Sequence, residues 1–340
     1  MSFIDSIYEK ARFYKKRVVI PECTNELMMR AAMRALEAGF AEIIFVGDPA
    51  DIEAASLAYN VDLTGVKIVD IGDEAYKEQL IESYAGLSDK ILSKKSVARR
   101  IGEPLYMALV MQVVGDADCT LAGLDTTTYE FILAASGIIG QSEGVSTASA
   151  FVLMEIEGFE GEQGNCFGMS DGAICLEPTS EQLAEIAISC CDTFSALMGR
   201  EARCAMLSSS TLGSGSGAPV TRIREAVALA KARRPDLMID GEFQSDAAIL
   251  KQVADKKIKR PSDVAGRADV LIFPDVAACN IGSKLVQIFA NARSYGPIYQ
   301  GFKQPFIDCS RGDTEDRLFD NIALCSVLAA HQGSTEEVCS

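Results

Sequence analysis

The chain has 340 residues, 48 % of them hydrophobic, and a formal net charge of −16. That length predicts two domains of ordinary size with real cores, and the acidic balance argues against a nucleic-acid surface, which needs a basic patch. No apolar run approaches the ~18 residues of a membrane span, and the charged N-terminal segment MSFIDSIYEKARFYKKR lacks the apolar stretch of a secretory signal.

RVVIPE (17–22) reads as a strand and NELMMRAAMRALEAGF (25–40) as a helix. EIIFVGD (42–48), VKIVDI (66–71) and DCTLAG (118–123) read as further buried strands, and EPLYMALVMQVVG (103–115) and TYEFILAASGIIG (128–140) as helices. Continuous apolar strands between helices imply a parallel sheet covered on both faces. In the second half, AFVLMEIEG (150–158), GAICLEP (172–178), ARCAMLS (202–208), DLMID (236–240) and DVLIFPD (269–275) are strand candidates, with helices over 180–197, 219–233, 245–254 and 280–291. The helix after GAICLEP opens with a capping-box pattern, Thr179 as cap and Gln182 three positions on. GDADCTLAG and GRADVLIFP share a Gly-x-Ala-Asp entry into a strand, an echo short of a repeat.

Between ARCAMLS and the helix beginning at Pro219 lies SSSTLGSGSG (208–217), nine of whose ten residues are Ser, Thr or Gly. Composition alone reads as a flexible linker. The placement reads otherwise: a Gly/Ser loop joining a strand's C-terminal end to a helix N-terminus offers amides, hydroxyls and the positive end of a helix dipole to an anion. It is neither a Walker A loop nor Gly-x-Gly-x-x-Gly. Its hydroxyls have a second use, satisfying the loop's own backbone. Eleven cysteines at irregular spacing, no Cys-x-x-Cys and a single histidine, His331, leave no metal site of the usual spacing. Without a disulfide framework they fit a reducing cytoplasm.

SSSTLGSGSG is followed in order by PDLMIDGEFQSDAAI (235–249), VLIFPDVAACNIGSKL (270–285), GPIYQG (296–301) and FIDCSRGD (306–313). This series resembles the phosphate acyltransferase family, phosphotransacetylase and its phosphate butyryltransferase relatives. The resemblance implies an α/β chain of two three-layer domains with a cleft between them, of the isocitrate/isopropylmalate dehydrogenase type. The first domain would take residues 1–142 and 298–340, the second 143–297. The reaction implied is acyl-CoA plus phosphate giving acyl phosphate plus CoA, acetyl by family, with propionyl or butyryl as the alternative. The implied partners are these substrates and a second copy in a homodimer; no cofactor is tightly bound, no metal is needed, and neither nucleic acid nor membrane is expected.

The resemblance also carries residue roles. Phosphate or acyl phosphate would rest on Ser208, Ser210, Thr211 and Ser214, with Gly213 and Gly215 allowing close backbone approach. Ser310 and Arg311 form the family's Ser-Arg-Gly motif: arginine suits a phosphate, a CoA oxygen or a developing oxyanion, and Ser310 suits the CoA sulfur or the acyl oxygen. The other use of Ser310 is a helix N-cap. Asn280, Gly282 and Lys284, opening a helix, and Gln300 and Gly301 would meet CoA; capping is the alternative for Asn280. Asp240, Glu242 and Gln244 follow a strand end, where a ligand or a structural use is open. A carboxylate is expected seven positions after the motif serine, but Arg317 stands there. Asp316, one earlier, is the substitute base, with Asp313 and Glu315 also close, or else it is a charge in a helix's first turn. Cys309 invites an acyl-cysteine idea, against which stands the usual burial of structural cysteines.

Other family features are missing. AGLDTTTYEFILAAS lacks the family's His, its Arg falls on Ile132 or Leu133, and the loop's Lys is Leu212. Two readings follow: Leu212, Ile132 and Phe131 line an enlarged apolar pocket for a longer acyl chain, or the chain is a weakened regulatory or scaffold relative. A dehydrogenase on the same fold would need a metal-binding Asp cluster that the sequence does not arrange.

Overall fold

A computed structural model describes residues 2–336, with side chains described through residue 331. In chain order the elements are α1 (Phe3–Tyr14), β1 (Lys16–Ile20), α2 (Glu26–Glu37), β2 (Ala41–Gly47), α3 (Pro49–Tyr59), β3 (Lys67–Asp70), α4 (Glu74–Gly86), α5 (Lys94–Arg100), α6 (Pro104–Val113), β4 (Cys119–Ala122), α7 (Thr128–Ile138), β5 (Ser149–Glu155), β6 (Cys166–Ser170), α8 (Ser180–Met198), β7 (Arg203–Leu207), α9 (Ala218–Arg233), β8 (Met238–Phe243), α10 (Ser245–Ile249), α11 (Lys251–Lys257), β9 (Val270–Ile272), α12 (Val276–Phe289), β10 (Arg293–Gln300), β11 (Phe306–Asp308) and α13 (Glu315–Glu336). Two compact units result: residues 1–141 with 302–340, and residues 142–301. No helix among the described residues is long and apolar enough to cross a membrane.

In the first unit five parallel strands lie in the order β3-β2-β1-β4-β11. Helices α1, α2 and α13 pack together over it, and α6 packs against β1, β2 and β4 with α4, α5 and α7 around it. Val18, Val19 and Ile20 of β1 are fully buried, as a strand covered on both faces demands. Helix starts follow local chemistry. Ser2 with Asp5 and Thr127 with Glu130 form capping boxes, Asn25 caps α2, and Pro49 and Pro104 sit in first turns.

In the second unit the order is β10-β5-β6-β9-β7-β8. The sheet is mixed, contrary to the all-parallel expectation. β6, β9, β7 and β8 are parallel, but β5 runs antiparallel to both β10 and β6. β10 is poorly legible because it contains Gly296 and Pro297, which fall where the pairing with β5 shifts register between Tyr295 and Ile298. GAICLEP is not a strand. The Asp171 carboxylate accepts the amides of Ala173, Ile174 and Cys175 at 2.9, 3.2 and 2.7 Å, so this backbone bonds to a side chain rather than to a ladder. The strand is β6, one loop earlier. The predicted 245–254 helix is broken at Leu250 into α10 and α11, and the 280–291 helix starts earlier, at Val276. Thr179 and Gln182 make the capping box of α8 as predicted.

The Gly-x-Ala-Asp echo has one geometry in both units. Asp118 donates its amide to Arg17 O (2.9 Å) while its carboxylate accepts the Arg17 amide (2.8 Å) and guanidinium. Asp269 does the same with the Arg203 carbonyl (3.0 Å) and amide (2.7 Å) and takes the Arg200 guanidinium. Each aspartate closes the open end of a parallel strand pair, where backbone groups otherwise lack partners.

Candidate active site

Ser310–Asp313 forms a tight turn between β11 and α13. The Asp313 amide donates to Ser310 O (2.8 Å), and the Ser310 amide donates to Asp313 Oδ2 (2.9 Å). Arg317, in the first turn of α13, donates to Asp313 Oδ1 at 3.2 Å. Asp313 is buried; Ser310 and Arg311 are exposed, and Arg311 has no ion pair among the described residues. Ser310 does not cap α13: the Thr314 hydroxyl accepts the Arg317 amide there. Asp316 is 83 % exposed and paired with Arg34 at 3.0 Å, and Arg34 also takes Glu315. The carboxylate against Ser310 is therefore Asp313, not Asp316. Cys309 lies beneath the turn, 2 % exposed, and burial raises its thiol well above the ordinary range, which removes the acyl-cysteine idea.

Two buried carboxylates at neighbouring strand ends hold the loop after β4 and the start of α7. Glu22, just past β1, accepts the amides of Gly123 (2.9 Å), Leu124 (2.8 Å) and Thr126 (2.8 Å) and so fills the amide nest after β4. Asp308, the last residue of β11, accepts the Thr128 hydroxyl at 2.6 Å. Gly123, at φ +117°, permits this close approach; a Cβ there would collide with Asp308 and the Cys309 backbone.

In the second unit the 208–217 loop is organised from within. Glu242 of β8 is buried and accepts the Ser210 hydroxyl (2.8 Å), the Gly213 amide (2.9 Å) and both Nε and Nη2 of Arg224 (3.0 Å each). Burial disfavours its charge, but Arg224, Gly213 and Ser210 outweigh that and bring the carboxyl down to about 2. Ser210 Oγ also accepts the Gly215 amide (2.9 Å), Ser214 Oγ the Thr211 amide (2.9 Å), Ser208 Oγ the Ser210 amide (3.2 Å), and Thr211 Oγ1 the Gln244 amide (3.0 Å). Ser210 and Thr211 are buried, so they shape the loop rather than face a ligand. The exposed hydroxyls are those of Ser209, Ser214 and Ser216, Ser208 is half-buried, and the first turn of α9 follows an N-cap, Gly217, that supplies no side-chain bond. Asp240 is likewise structural: Lys231, Arg260 and Ser262 surround it, and they overcome burial to bring its carboxyl to about 2. Asp240 and Glu242 lie within β8, not past its end.

Asp275 caps α12 through the Ala278 amide (2.8 Å), so Asn280 is a full turn inside the helix and does not cap it. Asn280 donates to Gly172 O at 3.2 Å; Lys284 is exposed; Gly282 faces Phe273, which a Cβ would meet at 3.0 Å. Gln300 is a core residue. Its amide nitrogen donates to Ser189 O (3.0 Å) and Thr193 Oγ1 (2.6 Å), and its oxygen accepts from Ser149 and Cys190. Both ends of its amide are satisfied inside the unit, which removes it from the CoA set. Gly301, at φ +86°, has Thr147 O against the place of a Cβ, a backbone reason for glycine.

The family model described as Phosphate acetyl/butaryl transferase matches residues 2–326. The chain belongs to this family. A phosphate acetyltransferase of Thermoanaerobacterium thermosaccharolyticum is 38 % identical over 331 residues, covering 97 % of this chain and 100 % of that one. The EutD phosphotransacetylase of Staphylococcus aureus superposes with a TM-score of 0.86 at 28 % identity, over 97 % of this chain and 98 % of the other. A fold-level likeness extends to a putative 4-hydroxythreonine-4-phosphate dehydrogenase from Salmonella typhimurium, with a TM-score of 0.55 at 13 % identity, over 92 % and 99 % of the two chains.

Of the positions where the resemblance implies a cation, Leu133 is exposed, and Ile132 and Leu212 are half-buried. Leu212 packs against the core cluster of the second unit. Phe131 is fully buried against Phe306, ring centroids 4.9 Å apart, so it does not line an enlarged acyl pocket. Four buried or paired groups that shape these loops escaped the sequence reading: Glu22, Arg224, Asp308 and the inward carboxylate of Asp313. Each carries a common residue type, and only the partner that the fold brings to it marks it out.

Proposed function

We propose that the chain is a phosphate acetyltransferase, catalysing acetyl-CoA + phosphate ⇌ acetyl phosphate + CoA by direct transfer, with no tightly bound cofactor. The observation that carries this is the exposed, unpaired Arg311 beside Ser310 on a turn locked from below, in a chain of the acyltransferase family. A phosphate oxygen attacks the acetyl carbonyl, the C–S bond breaks, and CoA leaves as thiolate. Arg311 meets the charge that develops on the carbonyl oxygen or sulfur, and the Ser310 hydroxyl donates to it. Ser208, Ser214 and the first turn of α9 hold phosphate, while Ser210, Thr211, Gly213 and Gly215 keep the loop in shape. Asn280, Gly282 and Lys284 line the CoA path.

The carboxylates near the turn are engaged: Asp313 with Ser310 and Arg317, Glu315 and Asp316 with Arg34. In the reverse direction Arg311 therefore favours the CoA thiolate by charge, and the rate should follow ionisation of a thiol with a pKa of ~8.5 or below. The working form we propose is a cytoplasmic homodimer. Among the described residues ten cysteines are free and nine of them buried, which suits a reducing compartment, and the exposed stripe Ile281, Leu285, Ile288 and Phe289 on α12 is a surface that a second copy would cover.

The test is thiol release from acetyl-, propionyl- and butyryl-CoA, each with and without phosphate. Phosphate-dependent release that is fastest with acetyl-CoA is expected. Release from none of them by folded protein would reject the reading, and a butyryl optimum would reassign the acyl group. Sedimentation at micromolar concentration checks the dimer.

A further inference from the structure

We propose that Asp313 is a positioning residue, which presents Ser310 and Arg311 to substrate and is itself held in register by Arg317. The inference rests on the reading of Ser310 and Arg311 given above. Asp313 closes the turn from two sides, its amide on Ser310 O at 2.8 Å and its carboxylate on the Ser310 amide at 2.9 Å. With both backbone groups of Ser310 bound inward, its exposed hydroxyl accepts the Gly312 amide at 3.4 Å and keeps its proton to donate, and the neighbouring guanidinium is exposed.

The second carboxylate oxygen takes Arg317 at 3.2 Å, an i,i+4 pair that ties the turn to the first turn of α13. Arg317, seven positions after Ser310, offers no carboxylate base there. As the clamp of Asp313, an arginine there has a use. Asp313 is not itself the base: its side chain is 5 % exposed and both oxygens are engaged. Removing the carboxylate leaves the Ser310 amide without its partner and lets the turn open. A shift of about 1 Å in a reacting group costs on the order of 100-fold in rate.

The test measures kcat, KM for acetyl-CoA and for phosphate, and Tm for Ser310→Ala, Arg311→Ala, Asp313→Ala, Asp313→Asn, Arg317→Gln and the Arg311→Ala/Asp313→Ala double variant. Asp313→Ala is expected to lower kcat about 30- to 100-fold with both KM values within about threefold. Asp313→Asn keeps an acceptor for the Ser310 amide and should recover kcat to within about fivefold of the parent, and Arg317→Gln should cost about fivefold. In the Arg311→Ala background, Asp313→Ala should add less than about threefold, because the two act through one contact. Parent-like kcat in Asp313→Ala overturns the proposal. So does a loss that follows only the folded fraction reported by Tm, or full multiplication of the two losses in the double variant. If Asp313→Ala does not fold, Asp313→Asn and Arg317→Gln decide: equal loss in Asp313→Asn and none in Arg317→Gln overturns it. Unchanged kcat in both Ser310→Ala and Arg311→Ala rejects the underlying site as well, an outcome distinct from failure at Asp313 alone.

Discussion

The 208–217 loop and the Ser310–Asp313 turn each follow a strand and precede a helix, and each is rich in polar groups, yet they direct those groups oppositely. In the loop, the Ser210 and Thr211 hydroxyls and the amides of residues 210–215 turn inward, half of them around the buried Glu242 or the Ser210 hydroxyl. In the turn, one buried aspartate takes the Ser310 amide, the Ser310 hydroxyl accepts only the Gly312 amide at 3.4 Å, and both that hydroxyl and the Arg311 guanidinium are exposed. A Ser/Gly-rich sequence is thus compatible with a rigid, self-satisfied support, whereas a short turn with a single buried carboxylate can be the more reactive surface. The physical difference is what the carboxylate takes: Glu242 takes a hydroxyl of its loop together with an amide and Arg224, whereas Asp313 takes an amide and Arg317 and no hydroxyl.

The sharpest way to break this contrast is Arg311→Ala. With an exposed side chain and no ion pair among the described residues, it should leave Tm within about 1 °C and lower kcat/KM by about 10²- to 10³-fold. Parent-like kinetics would strip the turn of its proposed role. Next comes Glu242→Ala, which leaves Arg224, Ser210 and Gly213 without their shared acceptor and should cost about 2–3 kcal/mol in urea unfolding. Full stability there would mean the loop is not held from within.

Ser210→Ala should cost about 1 kcal/mol of stability with activity per folded molecule unchanged; a large rise in KM for phosphate at unchanged stability would return Ser210 to the ligand. Acid titration gives a subtler reading. Glu242 keeps its charge in the fold down to about pH 2, while an unfolded glutamate titrates near ~4.3. The stability from this lowered value is therefore complete above the unfolded value and lost as the pH falls from there through 2. Glu242→Gln should flatten that limb of Tm against pH, and an unaltered limb would deny the pair its role. The smallest effect expected is at Ser214→Ala, a rise of about three- to tenfold in KM for phosphate with kcat retained.

Much of the architecture was legible in order and type. The apolar runs at 17–22, 42–48 and 118–123 became parallel strands because a strand covered on both faces has little use for polar side chains. The illegible parts have particular causes. GAICLEP has a strand's composition, but Asp171 captures its amides. β10 hides behind Gly296 and Pro297. In the candidate site, Ser310 and Arg311 stand out in sequence as a motif, while Asp316 looked as good a carboxylate as Asp313, because spacing along a chain does not show which of two aspartates turns inward.

By itself the sequence determined the alternation of strands and helices, the capping boxes and the family, since these rest on local periodicity, local hydrogen bonds and motif order. Only the tertiary structure decided which polar residues act and which support. That choice depends on burial and on partners far away in sequence: Glu242 meeting Arg224 and Ser210, Glu22 meeting the amides after β4, and Asp308 meeting Thr128. A carboxylate's role is set by what surrounds it, and those surroundings exist only once the chain has folded.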